Sequence, residues 1–281
     1  MIRDSFKVRG MDITLYMCYF VIIAFFIGPL LWVVSLSLKT PSEIFAYPPQ
    51  LIPNRLAIEN YATVWTRSHI PLWIFNSFKI VMFTVIGCLS VSIPAAFAFS
   101  RFRFKGKREA MFGILAFQMI SPMIILIPLY RYFSALNLLD THLGLVMIYI
   151  AVQTPFTVWL LKGFFDSIPQ SLDDAAMVDG CSRIQALFRI ILPISVPGIA
   201  AAIVFIIVQS WSQFIVPFIL LTNLKLLPIS VGIFHFQFVQ VEISTQLLAA
   251  ASILAILPVI LIFVVLQRFI VQFLIAGAVK G

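Results

Sequence analysis

SLDDAAMVDGCSRIQALFRIILP, residues 171–193, is a polar stretch set between two runs of sequence too apolar for anything but a bilayer. Ser171-Leu172-Asp173-Asp174 follows Pro169 and reads as a capping box, in which Ser171 caps a short helix and Asp174 reaches back to it. Ala175 and Ala176 give that helix small side chains that allow close approach of a partner surface. Gly180, after Asp179, can take the left-handed conformation that ends it. Ser182 then caps a second short helix, whose Ile184, Leu187, Phe188 and Ile191 form one apolar stripe, stopped by Pro193. The expected shape is a helix–glycine–helix plug with a small, acidic tip, protruding into the cytoplasm.

The rest of the chain defines what the plug is attached to. Hydrophobic residues make up 62% and charged residues only 11% of 281, whereas a soluble domain has roughly 25% charged residues. This is an integral membrane protein. Apolar runs of at least about 18 residues can cross the ~30 Å hydrocarbon core as helices, and six occur, at about 13–38, 75–100, 110–133, 143–165, 194–221 and 247–273. None alternates as a barrel strand would, so the fold class is an all-α membrane protein with six transmembrane helices.

Basic residues orient the chain, because their excess marks the cytoplasmic side. With the N-terminus inside, Arg3, Lys7, Arg9, Arg101, Arg103, Lys105, Lys107, Arg108, Lys162, Arg183, Arg189, Arg268 and Lys280 are cytoplasmic, thirteen of the 19 Lys and Arg. Lys39, Arg55, Arg67, Lys79, Arg131 and Lys225 lie outside. Both termini are therefore expected in the cytoplasm. The net charge of +8 reflects orientation and attraction to anionic headgroups rather than to nucleic acid, since the 101–108 cluster abuts a span. The first run is too long for a signal-peptide core and is expected to be retained. Cys18 and Cys88 fall in spans and Cys181 in the plug, an arrangement with neither disulfide nor metal spacing.

Residues 39–74 form the largest external segment. Pro41, Pro48, Pro49 and Pro53 favour extended chain, after which Ile58, Tyr61, Ala62 and Trp65 fall on one face of an amphipathic surface helix. It serves either as a lid on the bundle or as part of a docking surface. Residues 222–246, with Pro228, Gly232, His235 and Glu242, form a second external feature. His235, among Phe234, Phe236 and Phe238, reads as an interfacial aromatic-belt residue rather than a ligand.

All eleven acidic residues lie in loops or at helix ends, so no mid-span carboxylate is available to relay a proton or bind sodium. The polar groups at depth are neutral: Gln118 and Ser121 in the third span, Tyr149, Gln153 and Thr154 in the fourth, and Gln209, Ser210, Ser212 and Gln213 around Trp211 in the fifth. Gln118, Ser121, Tyr149, Gln153, Trp211 and Gln213 are the candidate path for an uncharged, hydroxyl-rich solute. Hydrogen bonding between helices is the competing reading. Pro94, Pro122, Pro128, Pro155, Pro217 and Pro258 are expected to break helices within the spans. No phosphate-binding loop is present, because Arg101 stands where Gly106-Lys107 would require the first glycine. Nor does the sequence carry a hydrolytic triad or zinc motif, so the chain is not expected to be an enzyme.

The spacing within residues 174–193 resembles the EAA motif of binding-protein-dependent ABC importer permeases: Glu-Ala-Ala, three residues, Gly, nine residues, Ile-x-Leu-Pro. Asp174, Ala175, Ala176, Gly180, Ile190, Leu192 and Pro193 stand in that register, with Asp174 replacing the usual glutamate. The resemblance implies a type I ABC importer transmembrane domain. In it these residues, with Asp179, form a coupling helix seated on an ATPase subunit. It narrows to the carbohydrate branch, of the maltose-permease second-subunit type. Phe45 to Pro53 with Glu59-Asn60-Tyr61, Asn76-Ser77, Ala95 to Gly106, Ile127-Pro-Leu-Tyr130, Pro155-Phe156 and the ending Gly277 to Gly281 are similar to that branch. Trp211-Ser-Gln-Phe214 departs from its Trp-Asn-Glu-Phe.

The implied organisation is a cytoplasmic N-terminus (1–12), a first helix (13–38), an external loop (39–74), a core transporter domain (75–273) containing the coupling loop 166–193, and a cytoplasmic tail (274–281). The implied partners are a sister permease, two ATPase subunits carrying ATP and magnesium, and an external solute-binding protein, in a bacterial cytoplasmic membrane. The cargo would be a sugar, oligosaccharide or polyol. A passive channel or secondary carrier, a structural subunit without a path, and an importer of glycerol-phosphate-type solutes are the alternatives.

Overall fold

The computed structural model describes residues 2–239 and 245–278, and within them the side chains of 15–121, 124–237 and 245–267. The side chains of Arg3, Lys7, Arg9, Phe238, Glu242, Arg268 and Lys280 lie outside that description, as does the end of the C-terminal tail. Among the described residues every regular element is a helix: α1 (Ile2–Ser37), α2 (Pro41–Ile44), α3 (Glu59–Arg67), α4 (Ile70–Arg101), α5 (Lys107–Phe117), α6 (Pro122–Ala135), α7 (His142–Ser167), α8 (Ser171–Val178), α9 (Arg183–Ala186), α10 (Leu192–Ile194), α11 (Val196–Ser212), α12 (Ile215–Leu220), α13 (Ile229–Val239) and α14 (Thr245–Ala278). A π turn, Leu187–Ile191, joins α9 to α10, and a 3₁₀ turn, Leu224–Leu226, precedes α13.

Four of these helices are long and apolar enough to cross a membrane: Leu15–Ser37 within α1, α4, α7, and Thr245–Gln267 within α14. The third and fifth expected spans are not continuous. Residues 110–133 split into α5 and α6 because Pro122 opens α6 and holds Ser121 extended at ψ 130. The fifth run is entered through a 79° bend between Arg183–Ile194 and Val196–Ser212, and it stops where Gln213 becomes extended at ψ 121. The expectation that the prolines break helices is corrected at Pro94, Pro128, Pro155 and Pro258, which lie inside uninterrupted helices. Beside Pro155, the Thr154 and Thr157 hydroxyls bond back to the carbonyls of Ile150 and Gln153, supplying donors of the kind a proline removes.

The chain divides into two compact units, residues 1–70 with 233–255, and residues 71–232 with 256–281. In the first unit, the Asn60 amide donates to the carbonyls of Ser37 and Lys39, at 2.9 and 3.0 Å, where α1 ends without intrahelical donors. That requirement turns α3 so that Ala57, Asn60 and Val64 are buried, while Ile58 and Trp65 remain exposed. The expected apolar face is thus rotated by one residue, about 100°.

In the second unit, Ala96 and Phe97 of α4, Val158, Leu161 and Phe165 of α7, Leu187 and Ile191 of the π turn and Ala202 of α11 make one core. Gly198 lets α11 lie against α7, since a Cβ there would come within 2.5 Å of the Phe164 ring. Residues 221–229 are tied down rather than looped out. Trp73 donates to the Leu224 carbonyl and Asn76 to those of Lys225 and Leu227. The Asp140 carboxylate accepts from the Thr222 and Asn223 amides at 2.8 and 2.9 Å. Burial pushes the Asp140 pKa up, but the Thr222 hydroxyl and these amides outweigh it and hold the group below its ordinary range.

Candidate functional site

The 171–193 element is built from local backbone chemistry. Gln170 is already helical at φ −65 and ψ −23, and its carbonyl accepts from the Asp174 amide at 3.1 Å. Ser171 is consequently the first helical residue rather than the cap, and the capping box expected there does not form. The end of α8 behaves as expected. Gly180 sits at φ +85, its amide donates to Met177 and that of Cys181 to Ala176, the paired bonds of a Schellman closure. Ser182 then caps α9 by accepting from the Gln185 amide, while the Gln185 side chain accepts from the Ser182 amide at 2.8 Å.

The expected stripe of the second helix is replaced. Across Leu187–Ile191 the Leu192 amide donates to Leu187, five residues back, and Pro193 has no amide with which to restore α-helical spacing. The extra residue turns Ala186, Leu187 and Ile191 inward. Ile184 and Phe188 are left 69% and 62% exposed, and Val178 of α8 is 87% exposed. Asp174, Ala175, Asp179, Gly180 and Pro193 are exposed, Ala176 is buried, and Ile190 and Leu192 are half-buried. The element therefore presents apolar and acidic side chains together, a pairing that water alone does not favour.

Sequence reasoning missed Arg101 and Asp173. Arg101, the last residue of α4, makes an ion pair with Asp173 of α8 at 2.6 Å. Its terminal nitrogens donate to the Phe165 and Ile168 carbonyls, each at 3.1 Å, where α7 ends. Arg183 lies over the Phe102 ring at 5.1 Å. Beneath them is a pocket of about 160 Å³ lined in part by Phe97, Arg101, Asp173, Asp174 and Met177. The one signal available was an arginine at a span boundary, which read as orientation alone.

A second cavity, of about 450 Å³, lies between α5, α6, α7 and α11 with the start of α12. It gathers Gln118, Tyr149, Gln153 and Gln213 of the candidate path and adds Gln209, among the rings of Phe117, Phe156 and Phe205. Gln118 donates to the Val152 carbonyl, and Gln153 to the Ser210 hydroxyl at 2.9 Å. The Tyr149 hydroxyl and the Gln153 side-chain oxygen are buried without a hydrogen-bond partner among the described residues, a costly state for polar atoms in an apolar wall. Two candidates fall elsewhere. Trp211 packs edge-on against Phe78 at 5.1 Å, and Ser121 is spent on the break before α6. The Thr154 and Ser212 hydroxyls bond to carbonyls of their own helices, which for these two favours the helix-bonding reading.

Comparison with known proteins places this geometry. Residues 89–275 match the family described as "Binding-protein-dependent transport system inner membrane component". The chain is similar to the sulfoquinovosyl glycerol transport system permease of Agrobacterium fabrum, 31% identical over 90% of this chain and 88% of that protein. It resembles the diacetylchitobiose uptake system permease of Streptomyces coelicolor at 32% identity, covering 92% and 95% of the two chains. The trehalose/maltose transport system permease of Thermococcus litoralis is 30% identical over 90% and 91%. The fold matches a chain of a bacterial ABC transporter involved in import of the acidic polysaccharide alginate, with TM-score 0.80, 21% identity and coverage of 95% and 98%.

Proposed function

The chain belongs to the family of binding-protein-dependent transport system inner membrane components, and from that membership we propose that it is the permease subunit of an ATP-driven importer for a neutral sugar, oligosaccharide or polyol. The observation that carries the reading is the 171–193 element: a Schellman-closed helix, a capped second helix, and Val178, Ile184 and Phe188 held out beside Asp174 and Asp179. It has the chemistry of a surface completed by another protein. Asp174, Ala175, Ala176, Asp179, Gly180, Ile190, Leu192 and Pro193 form the coupling site for an ATPase subunit, which holds ATP and magnesium. Closure of two such ATPases displaces the element, and the bundle switches between inward-facing and outward-facing states.

The 450 Å³ cavity is the solute path. Its aromatic faces suit the apolar face of a sugar ring, and Gln118, Tyr149, Gln153, Gln209 and Gln213 suit hydroxyls. Among the described residues no Lys, Arg or His lines it, which disfavours a phosphate-bearing solute. The sister permease and the external solute-binding protein complete the assembly in a bacterial cytoplasmic membrane, with both termini inside. The first test is co-purification of the tagged chain in mild detergent, followed by ATPase and uptake assays. Recovery of an ATPase and a second permease supports the proposal; a lone chain without ATPase activity indicates a channel or secondary carrier.

A further inference from the structure

The 171–193 element is fastened to the helices behind it in two ways. Its second half enters the apolar core, where Leu187 and Ile191 join Phe97 and Phe165. Its first half, α8, has little of this. Of its eight residues Ala176 alone is buried, Asp173 is half-buried and the rest are exposed. A methyl group gives contact without direction. The charged hold on α8 is the Asp173 carboxylate, 2.6 Å from the Arg101 Nε in an ion pair without hydrogen-bond geometry, with the two side chains only 14% and 6% exposed.

The same guanidinium ends α4 and donates to the last carbonyls of α7, so one rigid, planar group joins three helices. Its fork of donors suits simultaneous contact with a carboxylate and two carbonyls, which the point charge of a lysine does not. A shielded ion pair also resists separation far more than one in water, because removing either partner strands a buried charge.

We propose that the Arg101–Asp173 pair is the joint through which displacement of α8 is passed to α4 and α7, making both side chains positioning residues for transport. The inference rests on the reading of residues 171–193 as the coupling element. With the pair intact, a pull on α8 carries α4 and α7 with it. With the pair broken, α8 keeps only the Ala176 methyl contact, slides on it, and ATP is hydrolysed without moving solute. A carboxylate outside the coupling loop serves as control: Asp140 accepts from the Thr222 and Asn223 amides and makes no ion pair with α8 among the described residues.

The test uses the assembled transporter in proteoliposomes and reads solute imported per ATP hydrolysed, alongside subunit stoichiometry. Asp173→Asn keeps shape and removes charge; Arg101→Lys keeps charge and loses the fork. We expect solute per ATP to fall about tenfold in Asp173→Asn and about threefold in Arg101→Lys, the range over which single residues modulate coupling. Asp140→Asn should leave the ratio unchanged. General damage would lower uptake and hydrolysis together and leave the ratio intact, which overturns the proposal. Loss of the ATPases from both variants also overturns it, because the pair would then build the docking site rather than transmit its motion. Gly180→Pro is run in parallel. If it transports normally, the coupling reading itself fails; if it is inactive while Asp173→Asn keeps a normal ratio, only the joint is wrong.

Discussion

The plug at 171–193 and the cavity between α5, α6, α7 and α11 depart from favourable folding in opposite directions. The plug exposes apolar groups, Val178, Ile184 and Phe188, and meets its buried Asp173 carboxylate with the charge of Arg101, whereas the cavity buries neutral polar atoms, the Tyr149 hydroxyl and the Gln153 oxygen, without a hydrogen-bond partner among the described residues. Each departure is relieved by a ligand of opposite kind. On the proposed function, an apolar rim beside carboxylates would be covered by a protein surface, and buried polar atoms in an aromatic wall would be met by a hydroxyl-rich solute. On the same proposed function, the contrast separates a site that receives work from a site that receives cargo.

The largest expected effect breaks the plug alone. Gly180 stands at φ +85 and proline is confined near −65°, so Gly180→Pro should lower uptake by about a hundredfold, the equivalent of ~3 kcal/mol. Membrane insertion, read by fractionation, should persist. Asp174→Lys reverses an exposed charge on the same element, and association with the ATPase should weaken about tenfold in a pull-down. Binding of the solute-binding protein should not change, and the reverse ranking would place the plug on the other side of the membrane.

Tyr149→Phe tests the cavity from both sides of the comparison. Removing a buried hydroxyl that lacks a partner should stabilise the detergent-solubilised chain by about 1 kcal/mol and weaken solute uptake several-fold. A destabilised variant with normal uptake would make Tyr149 a packing residue. The smallest effect concerns Asp140, whose hydrogen bonds are made. Its pKa lies below the ordinary 3.8, so it contributes stability above that value and loses it as pH falls further, through the folded pKa. Thermal melts should show less acid sensitivity below about pH 4 in Asp140→Asn, by under ~1 kcal/mol because the site is largely solvated.

Local chemistry explains which parts of the plug were legible. Gly180 and Ser182 act on amides within a few residues, so spacing alone announces a Schellman turn and a capping box. Ser171 misled because the same signature was present while Gln170 had already entered the helix. The stripe through Ile184 and Phe188 misled because it assumed a period of about 3.6 residues across a π turn. In the spans, four of the side chains singled out at depth, Gln118, Tyr149, Gln153 and Gln213, line one cavity. Their side of each helix was not readable, and Trp211 is buried against Phe78 while the exposed Gln209 lines the cavity.

Composition, apolar runs and the 174–193 spacing were sufficient to determine an α-helical membrane protein, its family and the place of its helix–glycine–helix element. These depend on transfer free energy and on short-range backbone geometry, both properties of contiguous residues. Tertiary structure alone decided that Arg101 meets Asp173 across 72 positions, that Asn60 rotates α3 to close the end of α1, and which four candidate side chains share one cavity. Such contacts are set by how helices pack and rotate against one another, and a helical period of 3.6 residues makes a turn of one position enough to exchange a buried side chain for an exposed one.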